Sequence, residues 1–545
     1  MMKYQLNIML ILFFTILLSC SPGPEFYSEA LRNKLVRTKK NWREVSAGSE
    51  VKISPASPAI PTDWWKQFND PLLDQFIAEA LHNNTDLKVR IMRVQESGLG
   101  LKEEKAARLP GFRGSASSSF FRRQSVQEYS DIITGEEDVE NIKEREITSI
   151  SDSEYYNTGL SVSWELDIWG RKEKKYLATK AAYEESKAQF RAEWLRIISD
   201  LAGAYFEIRT KDREKHILTQ MYEANMKRTA IYDNQYTEGL IPRWKVMRQE
   251  SESNEMEKKR SDLEQSRRKL ENKIAILLGR APGELKIPDT KNSRPPEIIQ
   301  VPPGLPSELL ANRPDIIAAE YRVEKAYHQI GEARAARLPS ISLSGQAGFA
   351  SATLSTLLQQ WTLGLTPLIN FPVFDGGASK IRVERNKIQA DIAEKEYRQT
   401  VFRAFEEVEN TLMELASRHQ QKNILEKKRD ILKVIYAQTD EKLQMGLITQ
   451  QELMDIQREF LNTEKTLLET ERSLLDNTVK LCKALGGGWS RSDIRDTDMS
   501  EPQYTEQTGE SGRQDEKAEE RKTVSLSDIS PKVQIRRMRV QEIKG

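Results

Sequence analysis

The chain has 545 residues, and its 83 lysines and arginines nearly cancel its 82 aspartates and glutamates. A balance this close argues against the basic surface on which nucleic acids bind, so no nucleic-acid partner is expected. Charged residues make up 30% and apolar residues 38%, a proportion that suits long helices with one solvated face.

Met1 to Gln5 contains one lysine, Leu6 to Leu18 is almost wholly apolar, and the run closes on Leu17-Leu18-Ser19-Cys20. About 13 apolar residues fall short of the roughly 20 that span a bilayer, so residues 1–19 read as a signal peptide. The closing motif resembles the lipobox of bacterial lipoproteins, which makes Cys20 the lipidated first residue of a mature chain and 20–70 a lipid-anchored N-terminal segment. Cys482 is then the remaining thiol, and no intrachain disulfide supports the fold. No later run of 18 apolar residues occurs, so a second membrane crossing must use barrel strands.

The rest of the chain is one unit written twice. Residues 106–110 read AARLP, as do 335–339, and Gly170, Gly239 and Gly279 recur as Gly377, Gly446 and Gly486, each displaced by 207 positions. Constant spacing means that the halves share one architecture through their longest segments. The first repeat, 71–279, is expected to run as a helix, strands at about 112–121 and 158–168, a long helix 171–238 and a helix 242–279. The second, 314–486, repeats the order with strands at about 340–350 and 361–371 and helices 378–445 and 447–486.

The strands are read from alternation. Leu160, Val162, Trp164, Leu166 and Ile168 alternate with mostly polar residues, as do Trp361, Leu363, Leu365, Pro367, Ile369 and Phe371. The polar stretch from about 122 to 154 reads as a loop outside the cell. Helical spacing shows in Val401, Phe405, Val408, Leu412 and Leu415, and in the paired heptads Phe460, Leu467, Leu474, Leu481 and Leu461, Leu468, Leu475, Cys482. At 1.5 Å per residue each long helix would measure roughly 100 Å, with an ordinary antiparallel coiled coil as the alternative. Proline crowds 282–314, which marks 280–313 as a connector, and the charged, polar stretch 487–545 reads as a disordered tail. Four strands of about ten residues are too few for a barrel, which needs roughly eight, so several copies must share one.

DWWKQFNDPLLDQFIAEALHNNTDL (63–87), LPSELLANRPDI (305–316), AARLPSISLS (335–344) and KALGGGW (483–489) resemble, in order, the signatures of TolC-like outer-membrane efflux lipoproteins, the outer-membrane factor family. The resemblance implies a mainly α fold with a membrane β-barrel: a homotrimer of internally duplicated protomers, with a 12-strand barrel continued by a 12-helix α-barrel. It implies an exit duct in the outer membrane, anchored among its lipids and extending into the periplasm. Its partners would be a periplasmic adaptor and an inner-membrane transporter of RND type, with small molecules or ions passing passively. The duct of a type I secretion system and a lipid-anchored structural stalk are the alternatives; ten-residue lipid-facing strands count against the stalk.

No catalytic constellation is legible, and no enzyme activity, cofactor or metal site is expected. His82, His216, His328 and His419 are scattered, without zinc spacing. Gly239-Leu240-Ile241 and Gly446-Leu447-Ile448 each interrupt a helical pattern that then resumes, and glycine suits such a turn. In the family these turns are the periplasmic tips that meet the adaptor. Glu452 and Asp455, six and nine residues past Gly446, match acidic positions that line the closed tip of relatives; Leu443, Ile448 and Gln451 complete the expected gate. Relatives often latch the tip with Tyr and Arg, whereas this chain has Leu443 and Lys442 before the turn and Ile448 after it.

Overall fold

The computed structural model describes residues 60–133, 141–289, 310 and 312–489, with backbone alone for 127–133 and 141–147. The signal peptide, Cys20, most of the connector and the tail beyond Trp489 lie outside the described residues. In chain order the elements are α1 (Pro71–Asn83), α2 (Thr85–Ala106), β1 (Gly111–Ile133), β2 (Asn141–Leu166), α3 (Arg171–Thr237), α4 (Arg243–Leu277), α5 (Pro314–Ala335), β3 (Ser340–Ser351), β4 (Trp361–Asn370), α6 (Ala378–Gln444) and α7 (Gln450–Ala484). The described residues form two compact units, one of 100–180 and 325–390 and one of 60–99, 181–324 and 391–489.

The first unit holds an antiparallel sheet in the order β1-β2-β3-β4. Residues opposite one another share a face, and the register sorts this sheet sharply. Phe112, Val162, Gly345 and Leu365 align, as do Trp164, Leu343 and Pro367, and Thr158, Phe349 and Trp361. The other face carries Ser163, Ser344 and Thr366 in one row, and Arg113, Ser161 and Gln346 in another.

The stretch 122–154, expected as a loop, is instead largely strand. β1 and β2 stay paired to Ile133↔Asn141, whereas β3 pairs with β2 only as far as Tyr156↔Ser351. Beyond β3 the hairpin is a two-stranded ribbon whose described side chains, 122–126 and 148–154, are exposed, so they need no apolar alternation. Charge and hydroxyl pairs serve instead: Arg122 donates twice to Asp152 at 2.8 Å, and the Ser125 and Ser149 hydroxyls meet at 2.7 Å. After the strands each long helix starts on an aspartate, with Asp167 accepting from the Lys172 and Glu173 amides and Asp375 from those of Gly377 and Ser379.

In the second unit the duplication persists down to single hydrogen bonds. Asn84 donates its side-chain amide to the Leu277 carbonyl at 2.8 Å, and Arg313 donates to the Ala484 carbonyl at 2.8 Å. These pairs are repeat equivalents, separated by the spacings of AARLP and of the shared glycines. Beside them Gly279 and Gly486 have φ of +74° and +90°, and a Cβ there would stand 2.5 Å from the Asn83 carbonyl oxygen and 2.8 Å from that of Asn312. Glycine is needed at both places, to close a helix end against the start of its repeat.

The core of this unit packs Val408, Leu412 and Leu415 of α6 against Leu474 and Leu481 of α7. An aromatic cluster brings Trp65 and Trp489 together on Trp194, Trp65 tilted and Trp489 edge-on to it, and the Arg191 guanidinium lies 4.0 Å from the Trp489 ring.

Candidate functional site

Two regions carry the functional geometry: the sheet and the two helical turns. The sheet's apolar face is open, with Phe112 70% exposed and Leu363 75% exposed. Leaving such a row in water would be costly, and a strand of this composition with polar residues on its other face fits a wall between hydrocarbon and an aqueous lumen. Ten residues of β4, tilted, match an apolar band about 25 Å tall. The outer edges of β1 and β4 have no strand partner among the described residues. No helix of the described residues is long and apolar enough to cross a membrane, and none of their His, Cys, Asp and Glu side chains group to hold a metal ion.

At the turns, α3 and α6 end alike. Gly239 has φ +74° and Gly446 φ +72°, and the next amides, of Leu240 and Leu447, reach back to the Gln235 and Lys442 carbonyls at 2.8 and 2.9 Å. This is the glycine-terminated helix end in which a left-handed residue reverses the chain. A Cβ on either glycine would meet no atom within 4 Å, so only backbone conformation demands glycine there. Leu240 and Leu447 project, 71% and 69% exposed, while Ile241 and Ile448 are half-buried.

The two acidic candidates have separate duties. Glu452 accepts the Thr449 amide at 2.8 Å while its own amide donates to the Thr449 hydroxyl at 3.3 Å, a capping box that starts α7. Asp455 accepts from Arg228 of α3 at 2.5 Å, with Arg458 at 3.5 Å. Leu443 and Ile448 are half-buried near the turn and Gln451 is exposed. Arg228 was not legible as a site residue. Its side chain is 9% exposed in a socket that includes Met221, Asn225, Met454 and Leu461, and its Nε has no hydrogen-bond partner. Along the same helix pair Arg213 meets Glu471 at 3.0 Å and Lys465 meets Glu214 at 3.1 Å, and Lys428 of α6 meets Glu459 of α7 at 3.1 Å.

A sheet with one lipid-facing side, together with long helical hairpins whose turns are open, defines an outer-membrane channel protein. Residues 76–280 and 305–487 match the family model described as Outer membrane efflux protein, and the chain belongs to that family. Among its relatives, the "Cation efflux system protein CusC" of Escherichia coli O6:H1 is 28% identical over 482 residues, covering 87% of this chain and 97% of that protein. The "Probable efflux pump outer membrane protein TtgC" of Pseudomonas putida is 28% identical over 449 residues, 80% of this chain and 87% of that one. In structure the chain is similar to the outer-membrane channel OprN (TM-score 0.73, 25% identity, 86% of this chain and 100% of that one). It also shares the fold of the Campylobacter jejuni CmeC outer membrane channel (TM-score 0.74, 23% identity, 88% and 97%). The protein is an outer-membrane efflux channel with a duplicated, mainly α fold.

Proposed function

We propose that this channel is the exit duct of a tripartite pump, formed by three copies whose β1 and β4 edges pair to close one barrel of twelve strands. The observation that carries this is the sheet: one face is apolar and exposed, both edges lack a strand partner among the described residues, and four strands are too few to close. Lipidation at Cys20 adds an anchor. The turns at Gly239-Leu240-Ile241 and Gly446-Leu447-Ile448 meet a periplasmic adaptor, and an inner-membrane transporter of RND type supplies the energy. The duct itself performs no catalysis, and its cargo is a small molecule or ion.

The gate on this reading is the ring of tips, with Glu452, Asp455, Leu443, Ile448 and Gln451 around the aperture. The Arg228–Asp455 pair ties the α3–α4 hairpin to the α6–α7 hairpin and takes the place of a Tyr/Arg latch. Opening separates the hairpins and releases the pair. Arg228 offsets the Asp455 charge while the pair holds, so cation attraction belongs to the open state. The test is reconstitution in an efflux-deficient host: export is expected only when the chain is expressed with an adaptor and a transporter. Export by this chain without either one would overturn the tripartite reading.

A further inference from the structure

Within the unit that holds the sheet, the first residue of α3, the last turns of α5 and the first turns of α6 border an open recess of about 410 Å³. Arg171, Glu332, Arg382, Arg385 and Gln389 line it together with Ala333 and Ala336. Arg171 is committed to Glu165, to which it donates at 2.7 and 2.8 Å. The other charges have no hydrogen-bonded partner among the described residues of one copy. Arg382 and Arg385 stand three residues apart on one helical face, both exposed, and neither has a hydrogen bond or ion pair among the described residues. Glu332 is half-buried, also without a hydrogen-bonded partner for its carboxylate, and burial pushes its carboxyl above the usual range against the pull of Lys175 and Arg171. Arg382 acts on Glu332 through its charge alone, without closing an ion pair.

Two unpaired guanidinium groups and one unpaired carboxylate held apart in one recess select their occupant by charge. An anion alone would leave Glu332 without a partner, and a cation alone would leave both arginines without one. We propose that the recess is a binding site for a zwitterionic small molecule, whose carboxylate, sulfonate or phosphate is held by Arg382 and Arg385 and whose ammonium group is held by Glu332. Guanidinium groups suit such oxyanions because their fork of donors meets two oxygens at once. The volume lies within the usual range for small-molecule sites, roughly 300–1,000 Å³. Only the consequence, retention of zwitterionic cargo in the duct, rests on the export reading.

The experiment therefore measures binding without transport. Purified full-length protein is titrated by ¹⁹F NMR with three forms of one ring: 4-fluorophenylalanine (zwitterion), its N-acetyl derivative (anion) and its methyl ester (cation). The zwitterion is expected to bind about tenfold more tightly than either other form, the factor that 1.4 kcal/mol provides. Arg382→Gln plus Arg385→Gln is expected to abolish that preference, and Glu332→Gln to bring the anion level with the zwitterion. Equal binding of the three probes, no binding by the native chain, or a preference unchanged in these variants would each overturn the proposal. Should the double arginine variant fail to assemble, Glu332→Gln decides alone. Selective binding together with failed export would leave the site standing and count against the pump reading.

Discussion

Breaking the Arg228–Asp455 pair is expected to loosen the tip without unfolding the chain. Removing one partner of a fully buried ion pair costs roughly 3–5 kcal/mol, whereas exposed pairs contribute about 0–1 kcal/mol. Here the arginine side chain is 9% exposed and the aspartate 45%, so an intermediate cost of about 1–2 kcal/mol per copy follows. A shift of about 1.4 kcal/mol changes the ratio of open to closed tips tenfold, and three copies acting together change it further. The two single variants should differ. Asp455→Asn leaves a buried guanidinium, whose Nε already lacks a hydrogen-bond partner, without its counter-charge, while Arg228→Met leaves a half-exposed carboxylate that water and Arg458 can satisfy. Asp455→Asn should therefore raise closed-state conductance more than Arg228→Met in planar-bilayer recordings. The exchange Arg228→Asp plus Asp455→Arg should recover part of the loss. Glu452→Gln plus Asp455→Asn should in addition reduce cation preference in the open state. Unaltered conductance in both single variants would refute the latch and place the closure among Leu443, Ile448 and Gln451.

Other outcomes are expected from the same structure. Cys20→Ser should abolish labelling of the mature N-terminus with a fatty-acid analogue; persistent labelling would refute attachment there. Gly239→Val plus Gly446→Val forces β-branched residues into left-handed backbone at about 1–3 kcal/mol each, and should impair adaptor crosslinking more than assembly of the channel. The hydrogen bonds from Arg196 to Glu193, one of 2.6 Å, hold that carboxyl below its ordinary 4.5 despite partial burial. A depressed folded value means that the contribution is complete above the unfolded value and is lost as pH falls through the folded one. Thermal melts of Glu193→Gln should therefore be less sensitive to acid below about pH 4.5 than those of the native chain; parallel pH profiles would count against the assignment.

Much of the architecture was legible because it is repeated. AARLP and the three displaced glycines expose the duplication, and the apolar alternation at 160–168 and 361–371 marks strands that must face lipid on one side. The outer ribbon was not legible for the complementary reason: polar and charged along most of its length, it carries no apolar period, and its pairing draws on contacts such as Arg122 with Asp152, 30 residues apart. Thr449-Gln450-Gln451-Glu452 carries the capping-box signature, so the structural duty of Glu452 could have been read beside the gating one. Arg228 left a weaker trace. It follows Met221 and Asn225 at seven- and three-residue spacing, on the buried face of α3, where an arginine requires a partner. That partner lies 227 residues away, which no local pattern can supply.

Closure of one barrel by three copies is tested most directly by joining the open edges. Cysteines placed singly at Ser115, Ser117 or Ser119 of β1 are combined with Thr362→Cys or Thr366→Cys of β4, and oxidised in outer-membrane vesicles. At least one pair is expected to give a covalent ladder that ends at three chains, with a circularly closed trimer as its limit. Crosslinks confined to single chains, or ladders that continue past three, would contradict closure by three copies.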